Sequence, residues 1–277
     1  MSGILYLCAT PIGNLGDISA RCLETFENAD LIACEDTRRT VQLLNHFGIK
    51  KQLTSYHEHN KREKGEYIVG LLKEGKNVVL VSDAGTPAIS DPGEDLVKLC
   101  IENELQVTPI PGCVAGINAL IVSGLPTRRF AFEGFLSVNK RHRKEHLESV
   151  KNDTHTLIFY EAPHKLPYTL SDMLEILGDR RIALCRELTK IHEEIIHTTL
   201  KEAQELYKET SPKGEFVIVI EGVKEPEKEE EWWEPLSIDE HVEKYIGDGI
   251  DSKEAVKMVA KDRNLPKREV YNIYHKI

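Results

Sequence analysis

Short apolar runs alternate with helix-like segments through the first half of this chain. Leu31–Cys34 and Val78–Val81 are apolar at every position, with no alternation of apolar and polar residues. The helix-like segment Lys61–Lys73 is followed closely by Gly75, and glycine is a usual helix stop. Strands that are apolar throughout are typical of parallel sheets covered by helices on both faces. The sequence therefore predicts an α/β fold.

The alternation continues beyond a break at residues 124–126, which read Gly-Leu-Pro. Five more strand-like runs follow, at residues 130–135, 156–160, 181–186, 194–199 and 215–221. Helices are expected near residues 144–150, 168–177 and 200–207. The last two strand-like runs favour some antiparallel pairing. We therefore predict two α/β domains, residues 1–117 and 118–222.

A charged stretch separates these domains from the C-terminal part of the chain. Residues 223–235 hold six acidic and two basic residues, contain two prolines and lack core periodicity, which predicts a linker. Residues 236–277 show the apolar spacing of three short helices and resemble a helix-turn-helix module. A helical cap or a dimerisation piece is the alternative, because three-helix bundles serve many functions.

Composition narrows the functional classes. The chain has 277 residues, of which 40% are apolar, and a formal net charge of −10. This acidic balance argues against indiscriminate coating of nucleic acid or anionic membranes. The six cysteines form no Cys-x-x-Cys pair, so neither a disulfide framework nor a zinc site is indicated. No apolar stretch reaches the roughly 18 residues of a membrane span, and we expect a cytoplasmic protein.

The connection at residues 82–93 holds more turn formers than a strand-to-helix junction requires. It contains two prolines, two glycines, two aspartates and two serines. Glycine lets main-chain groups approach a ligand, proline fixes the shape, and carboxylates hold hydroxyls or a cationic group. We interpret the segment as a ligand-binding loop, and an elaborate but inert turn is the alternative.

Polar residues also follow the first two strands. Residues 10–13 end the first strand at the edge where open parallel sheets bind ligands, without the spacing of a dinucleotide or triphosphate loop. Residues 35–38 end the second strand, and helix capping is the alternative to a binding role there. His57 and His59 lack the partner spacing of a zinc site, so we predict no metal.

Three polar loops in the second half complete this pattern. Residues 137–144 hold four cationic side chains and a histidine, which suits phosphate oxygens, although a solvated helix start is the alternative. Residues 160–164 and 186–193 follow two further strands in the same manner. Polar loops at several strand ends are what a ligand cleft between two α/β domains requires.

In this order, the motifs resemble those of the bacterial ribosomal RNA small-subunit methyltransferase I family, within the tetrapyrrole-methylase-like superfamily. The resemblance rests on residues 9–15, 35–38, 82–93, 111–112, 132–136, 160–164 and 186–190. It implies two α/β domains with S-adenosylmethionine in the cleft between them, a C-terminal helical module and a homodimer. The implied reaction transfers the methyl group to the ribose 2′-oxygen of a cytidine in the decoding centre of 16S rRNA.

The resemblance also implies roles for individual residues. The cofactor pocket is expected to comprise Pro11, Ile12, Asp83, Ala84, Gly85, Thr86, Ile89, Val114, Ala115, Tyr160, Ala162, Leu188 and Glu215. Methyl transfer from a sulfonium needs aligned reactants and a group that accepts the hydroxyl proton or stabilises its charge. The candidates for that group are Glu35, Asp36, Arg38, Glu187 and Lys190.

The expected RNA contacts are basic. They are Arg39, Arg128, Arg129, Lys140, Arg141, Arg143 and Lys144, together with the C-terminal module. Because the net charge is −10, we expect recognition of an assembled ribosomal surface rather than of loose RNA. Two alternatives remain: a methyltransferase of the same superfamily that acts on a small molecule or protein side chain, and a non-catalytic RNA-binding or assembly factor.

Overall fold

The computed structural model describes residues 2–208, 212–224, 232–233 and 235–276. The chain divides into two compact units, Met1–Pro226 and Glu227–Ile277. The strands of the first unit are β1 (Ile4–Cys8), β2 (Leu31–Cys34), β3 (Leu53–Ser55), β4 (Val78–Val81), β5 (Gln106–Ile110), β6 (Phe130–Phe135), β7 (Thr156–Glu161), β8 (Arg181–Arg186), β9 (Glu194–Thr199) and β10 (Phe216–Ile220). Its helices are α1 (Ala20–Asn28), α2 (Thr37–His46), α3 (Lys61–Lys73), α4 (Gly93–Glu102), α5 (Ala115–Val122), α6 (Lys140–Ser149), α7 (Leu166–Leu177) and α8 (Leu200–Tyr207).

Strands β1 to β5 form a parallel sheet in the order β3-β2-β4-β1-β5. Leu31 and Ala33 of β2 pack in one buried cluster with Ile68 of α3. Ile32, between them, packs in another cluster with Phe26 of α1. A strand buried on both faces must be apolar at every position, because successive side chains point to opposite sides. The predicted α/β sheet with two covered faces is confirmed.

Two local details differ from the sequence prediction. Strand β3 was not predicted, because three residues are too few to show a period. The spacing of Cys22, Leu23, Phe26 and Ala29 predicts a helix over residues 17–29. That helix begins at Ala20 instead, after a short 3₁₀ turn at Leu15–Asp17. Ser19 sets this start, because its hydroxyl oxygen accepts a hydrogen bond from the Cys22 N–H at 3.1 Å and so caps the helix.

Strands β6 to β10 form the second sheet in the order β6-β7-β10-β8-β9. Strand β6 is parallel to β7, whereas β10 is antiparallel to both of its neighbours and β9 is antiparallel to β8. The predicted antiparallel pairing is therefore confirmed. Because β10 runs opposite to β7 and β8, its amino end lies beside their carboxyl ends.

Helix α5 crosses the domain boundary that the sequence predicted between residues 117 and 118. Its Ala119 and Leu120 pack in a buried cluster with Ile158, Cys185 and Val219 of the second sheet. The whole helix therefore belongs with that sheet, and the change from one sheet to the other falls in the segment after β5. The predicted boundary is wrong because an apolar helix does not reveal which sheet it covers.

The second unit contains α9 (Ile238–Gly247), α10 (Ser252–Asp262) and α11 (Lys267–His275). Its core includes Val242, Val256 and Val270, one from each helix. The three helices predicted within residues 236–277 are confirmed, whereas no observation tests the resemblance to a helix-turn-helix module.

Part of the predicted linker, residues 223–235, packs on this unit. Trp233 stacks on the buried His241 with ring centroids 5.6 Å apart, and Trp232 meets the same ring edge-on. The linker prediction is therefore wrong at these two positions, since both rings pack against α9. Positions 225–231 and 234 of the predicted linker lie outside the described residues.

Three further observations concern membranes, metals and thiols. Among the described residues, no helix combines the length and apolarity needed to cross a bilayer. The same residues include no group of three or more His, Cys, Asp or Glu side chains arranged to hold a metal ion. All six cysteines are free thiols, and all but Cys113 are buried.

Candidate active site

A cavity of about 530 Å³ opens between the loops of the two sheets. The first sheet reaches it through the loops after β1, β2 and β4, at the carboxyl ends of these parallel strands. The second sheet reaches it through the ends of β6, β7 and β8 and the start of β10. Open α/β sheets bind ligands at such strand ends. The polar loops that the sequence singled out therefore converge on one place.

The loop between β4 and α4 forms a fixed wall of this cavity. Ala88 and Ser90 have φ angles of 66° and 63°, a left-handed conformation that residues other than glycine rarely adopt. The Asp91 carboxylate holds this shape, since its Oδ1 accepts hydrogen bonds from the N–H groups of Ala88 at 3.0 Å and Gly93 at 2.7 Å. Burial raises the pKa of Asp91 despite these bonds.

Neighbouring loops are tied to this wall by main-chain contacts. Thr10 donates its N–H to the Gly85 carbonyl at 2.9 Å, and Gly85 donates its own N–H to the Thr10 carbonyl at 3.1 Å. The Thr86 hydroxyl donates to the Cys113 carbonyl at 2.9 Å. Gly85 has a φ of 83°, which favours glycine at this position. The loops after β1, β4 and β5 thus form one hydrogen-bonded assembly.

Carboxylates and one guanidinium line the first-sheet side. Asp83 accepts a hydrogen bond from the Asp36 N–H at 3.0 Å, and its other oxygen lies 3.1 Å from Nη1 of Arg39. Glu35 is exposed on the cavity surface. Partial burial, followed by repulsion from Asp83 and Asp91, raises the pKa of Glu35. This makes Glu35 a stronger base than an ordinary carboxylate.

Asp36 and Arg38 do not line the cavity. The Asp36 carboxylate caps α2 by accepting a hydrogen bond from the Arg38 N–H at 2.9 Å. The Arg38 side chain, 87% exposed, donates back to the same carboxylate at 2.9 Å. Hydrogen bonds from Arg38 lower the pKa of Asp36 to about 2. The capping alternative accounts for both residues, and we withdraw them as catalytic candidates.

A lysine and two glutamates line the second-sheet side. Lys190 Nζ lies 2.8 Å from Oε1 of Glu187 and 3.0 Å from Oε2 of Glu215. Burial opposes the charge of Lys190, but the hydrogen bonds to the two glutamates outweigh it and its pKa is raised. Glu187 and Thr189 have φ angles of 49° and 69°, so this loop also carries backbone strain.

Two neighbouring residues at the end of β7 shape the cavity from behind. The Tyr160 hydroxyl oxygen accepts a hydrogen bond from the Gly116 N–H at 2.9 Å, which fixes the start of α5. Burial raises the pKa of Tyr160. Glu161 is buried and accepts hydrogen bonds from the Ala162 N–H at 2.8 Å and the Thr169 hydroxyl at 2.5 Å. The Tyr160 hydroxyl and the Glu161 carboxylate therefore make their hydrogen bonds within the protein and hold this wall of the cavity in position.

Most of the predicted cofactor residues line the cavity. These are Ile12, Asp83, Ala84, Gly85, Thr86, Ile89, Val114, Ala115, Tyr160, Ala162, Leu188 and Glu215. Pro11 instead lines a smaller adjoining cavity of about 290 Å³. Of the predicted catalytic residues, Glu35, Glu187 and Lys190 lie in the main cavity.

Several lining residues were not among the predicted site residues. They are Ser82, Ser90, Asp91, Phe135, Glu161, Pro163, Cys185, Phe216 and Val217. Ser82, Ser90 and Asp91 belong to the loop that the sequence did single out. Cys185 and Val217 lie inside apolar strands, where a cavity floor and a packed core give the same sequence signal.

Comparison with known proteins identifies the family. The sequence matches the family of Tetrapyrrole (Corrin/Porphyrin) Methylases over residues 5–204. It is 55% identical over 274 residues to the Ribosomal RNA small subunit methyltransferase I of Halalkalibacterium halodurans. The aligned region covers 99% of this chain and 95% of that protein. Identity to the protein of the same name from Bacillus subtilis is 52% over 275 residues, with 99% and 94% covered. The chain belongs to the ribosomal RNA small subunit methyltransferase I family.

Solved structures confirm the fold expected for a member of this family. A diphthine synthase crystal structure superposes with a TM-score of 0.63 at 15% identity, covering 79% of this chain and 90% of that one. A uroporphyrin-III C-methyl transferase from Thermus thermophilus, complexed with S-adenyl homocysteine, gives a TM-score of 0.55 at 19% identity, covering 78% and 97%. At such low identity the likeness establishes the fold alone.

The basic residues expected to meet RNA in a methyltransferase I family member divide into two groups. The exposed group contains Arg39, Arg128, Arg129, Lys140 and Arg141, of which Arg39 lines the cavity. Arg143 is buried against Asp172 at 2.7 Å. Lys144 pairs with Glu175 at 2.5 Å.

The loop predicted at residues 137–144 is therefore wrong in part. Helix α6 begins at Lys140, because Asn139 caps it by accepting hydrogen bonds from the backbone N–H groups of Arg141 and His142. The Arg143 guanidinium also donates to the Ser137 and Val138 carbonyls, and it cannot reach a phosphate without breaking buried bonds. We withdraw Arg143 as an RNA contact.

Proposed function

We propose that this chain is an S-adenosylmethionine-dependent methyltransferase that modifies the RNA of the small ribosomal subunit. Its substrate position would be the ribose 2′-hydroxyl of a cytidine in the decoding centre of 16S rRNA. The observation that carries the proposal is the near full-length similarity to relatives named Ribosomal RNA small subunit methyltransferase I. The convergence of the polar loops after the strands on one cavity supports it.

The cavity suits this cofactor in size and chemistry. A volume of about 530 Å³ lies within the range of small-molecule sites, roughly 300–1,000 Å³. Leu188 and Val217 offer apolar surface for an aromatic base, while the loop wall at residues 82–86 offers main-chain groups and the Asp83 carboxylate. Glu35 and Asp91 add negative charge, which favours a positively charged sulfonium. We propose that the twelve predicted cofactor residues lining the cavity hold it.

The chemistry needs one residue to remove a proton. When bound, S-adenosylmethionine supplies an electrophilic methyl group on its sulfur. We assign Glu35 as the proton acceptor for the ribose hydroxyl, because it is exposed in the cavity and its pKa is raised. Lys190 is held in place by Glu187 and Glu215, and its positive charge would stabilise negative charge that develops on the ribose oxygen.

The RNA surface that we propose is built from exposed cations. The first unit contributes Arg39, Arg128, Arg129, Lys140 and Arg141. Lys144 contributes less, because its charge is paired with Glu175. In the second unit, taken by itself, α11 exposes Lys267, Arg268 and Tyr271, which we propose as that unit's own RNA contacts. The net charge of −10 opposes non-specific RNA binding, so the substrate would be the assembled small subunit in the cytoplasm.

We also propose a homodimer. Helix α5 exposes Ile117 by 40% and Ile121 by 66%, and Ile191, in the loop after β8, is exposed by 98%. Ile121 also lines a hollow of about 450 Å³ together with Leu188 and Ile195. An exposed apolar patch of this kind is typical of a subunit interface. Light scattering of wild type and Ile121→Asp tests it: the variant should be monomeric, and an unchanged mass would exclude this face.

The experiment that tests the activity uses small subunits from cells that lack this protein. These subunits and naked 16S rRNA are incubated with the protein and labelled S-adenosylmethionine, and methylated nucleosides are mapped by mass spectrometry. We expect one new 2′-O-methylcytidine in the decoding centre, formed faster on subunits than on naked RNA. A methyl group on a base, on protein or nowhere would contradict the proposal.

A further inference from the structure

Strand β6 leaves one long side of the second sheet open. In the strand order β6-β7-β10-β8-β9 it lies at the edge, with β7 as its partner among the described residues. Its sequence, Phe-Ala-Phe-Glu-Gly-Phe, places an aromatic residue at Phe130, Phe132 and Phe135. Edge strands are usually protected by charged side chains, so three aromatic residues on one edge call for an explanation.

A β-bulge brings the three rings to one face. Phe130, Phe132 and Phe135 pair with Thr156, Ile158 and Tyr160 of β7, and the register shifts between Phe132 and Gly134. Positions 156, 158 and 160 share a face because side chains alternate along a strand. In a regular strand, residues three apart such as Phe132 and Phe135 point to opposite faces, and the extra residue of the bulge returns Phe135 to the face of Phe132. Gly134 has a φ of 65°, which glycine adopts without strain.

The rings are accessible and lead into the cavity. Phe130, Phe132 and Phe135 are 41%, 38% and 56% exposed. Phe132 and Phe135 both meet the Tyr160 ring edge-on, with centroids 5.0 and 5.5 Å apart. Phe135 also lines the cavity. The first and last rings pair with Thr156 and Tyr160, which are four residues apart on β7, so at about 3.3 Å per residue the row spans about 13 Å and ends at the proposed reaction site.

Cationic side chains flank both ends of this row. Arg128 and Arg129, exposed, directly precede Phe130. Lys140 and Arg141, also exposed, follow the strand at the start of α6. Lys165 Nζ lies 5.8 Å from the Phe135 ring centroid. A row of aromatic rings with basic groups at both ends suits a single-stranded nucleic acid. Its unpaired bases can stack on the rings, and its phosphates can pair with the cations.

We infer that the edge of β6 is a stacking track for a single-stranded segment of RNA, which it leads to the cavity. This inference rests on the proposed function and names the form of its substrate. A duplex does not fit, because its bases stack on one another and present no free faces. A second copy of the chain fits less well, because the flanking arginines and lysines would meet their own like charges.

The test compares variants that differ in one ring. Phe130→Ala removes a ring that does not line the cavity, and Phe130→Leu keeps apolar bulk without an aromatic face. Tyr67→Ala is the matched control, since Tyr67 is a 44% exposed ring on α3 with Lys64 near it. The full chain is assayed for the KM of small subunits, for S-adenosylmethionine affinity, for oligomeric mass, and for direct binding of a labelled single-stranded oligoribonucleotide and its duplex.

Stacking of one base predicts that both Phe130 variants raise KM about tenfold and weaken single-strand binding equally. Duplex binding, cofactor affinity and the Tyr67→Ala protein should be unchanged. Unchanged KM and single-strand binding in both Phe130 variants would overturn the inference, as would equal preference for duplex or a loss of the dimer. Absence of methyl transfer in wild type would instead overturn the proposed function. In that case the direct binding of the single-stranded oligoribonucleotide would still test whether β6 binds single-stranded RNA.

Discussion

Gly13, in the loop after β1, lies directly against Lys190 of the second sheet. A Cβ on residue 13 would sit 2.4 Å from Lys190 Cγ and 2.9 Å from the Thr189 hydroxyl oxygen. Any side chain at position 13 would therefore push the Lys190 loop away. The loops of the two sheets are therefore packed closely against each other at one side of the cavity.

Gly13→Ala should separate this contact. We expect a loss of about 1–3 kcal/mol in the free energy of unfolding, typical of overpacking, and a marked fall in methyl transfer as Lys190 moves. Thermal melting and initial rates measure the two effects. Gly70→Ala is the control, because nothing lies within 4 Å of a Cβ there. Full activity in Gly13→Ala would show that the position of Lys190 is unimportant.

Glu35→Gln should remove the proton acceptor. A general base contributes about 10²- to 10⁴-fold, so the rate constant for methyl transfer should fall by a similar factor. Asp36→Asn is the neighbouring control, since asparagine also caps helices and the exposed pair with Arg38 is worth little. We expect Asp36→Asn to retain activity, and equal losses in both variants would contradict the assignment.

The activity of wild type should also depend on pH in a defined direction. Glu35 must be ionised to accept a proton, and its pKa is raised by partial desolvation at the cavity surface and by the negative charges of Asp83 and Asp91. The acid side of the pH profile for kcat should therefore lie at higher pH than an ordinary glutamate would give. If kcat falls only at the pH where ordinary glutamates become protonated, Glu35 is excluded as the proton acceptor.

The two arginines of α6 should behave oppositely when replaced. Arg143→Met leaves the buried Asp172 carboxylate with only the more distant Lys144, 3.9 Å away, and loss of one member of a buried pair costs about 3–5 kcal/mol of stability. Arg141→Ala removes an 84% exposed cation and should leave stability unchanged. It should instead weaken RNA binding and reduce its salt dependence by about one counterion. Denaturant melts and salt titrations distinguish these outcomes, and a reversal would refute our division of the basic residues.

The buried His241 should make the second unit sensitive to acid. Burial, followed by the positive charge of Arg263, lowers the pKa of His241, and Arg263 Nε donates to its Nδ1 at 3.2 Å. The unfolded chain therefore binds a proton at higher pH than the folded unit does. The free energy of unfolding of this unit is therefore highest above the ordinary histidine pKa of about 6.5, and it declines as the pH falls below that value.

Tryptophan fluorescence can follow this unit alone, because the chain has two tryptophans and both, Trp232 and Trp233, lie beside His241. The unfolding midpoint read by fluorescence should drop between pH 7 and pH 5. In His241→Gln that pH dependence should be lost, even if the variant is less stable throughout. A wild-type midpoint that is constant over this range would refute the role of His241.

The sequence predicts the sheets because burial on both faces leaves a plain pattern. Leu31–Cys34 and Val78–Val81 are apolar at every position, and that pattern has no other common cause in a segment so short. The loops were predicted for a related reason, since glycine, proline and aspartate at strand ends mark places where the chain must turn and can bind.

What the sequence could not supply are the relations between distant segments. Arg141 and Arg143 are alike in sequence, and only the position of Asp172 on α7 makes one a buried partner and the other an exposed cation. Cys185 and Val217 face the cavity because of how β8 and β10 lie in the sheet. The position of α5 likewise depends on which sheet its apolar side meets.

The central claim is that the cavity between the two sheets binds S-adenosylmethionine. A crystal structure of the full chain with S-adenosylmethionine tests it most directly. We predict the ligand in the cavity of about 530 Å³, with its methyl-bearing sulfur near Glu35 and its base against Leu188. A ligand bound elsewhere, or a cavity that stays empty although calorimetry detects binding, would contradict it.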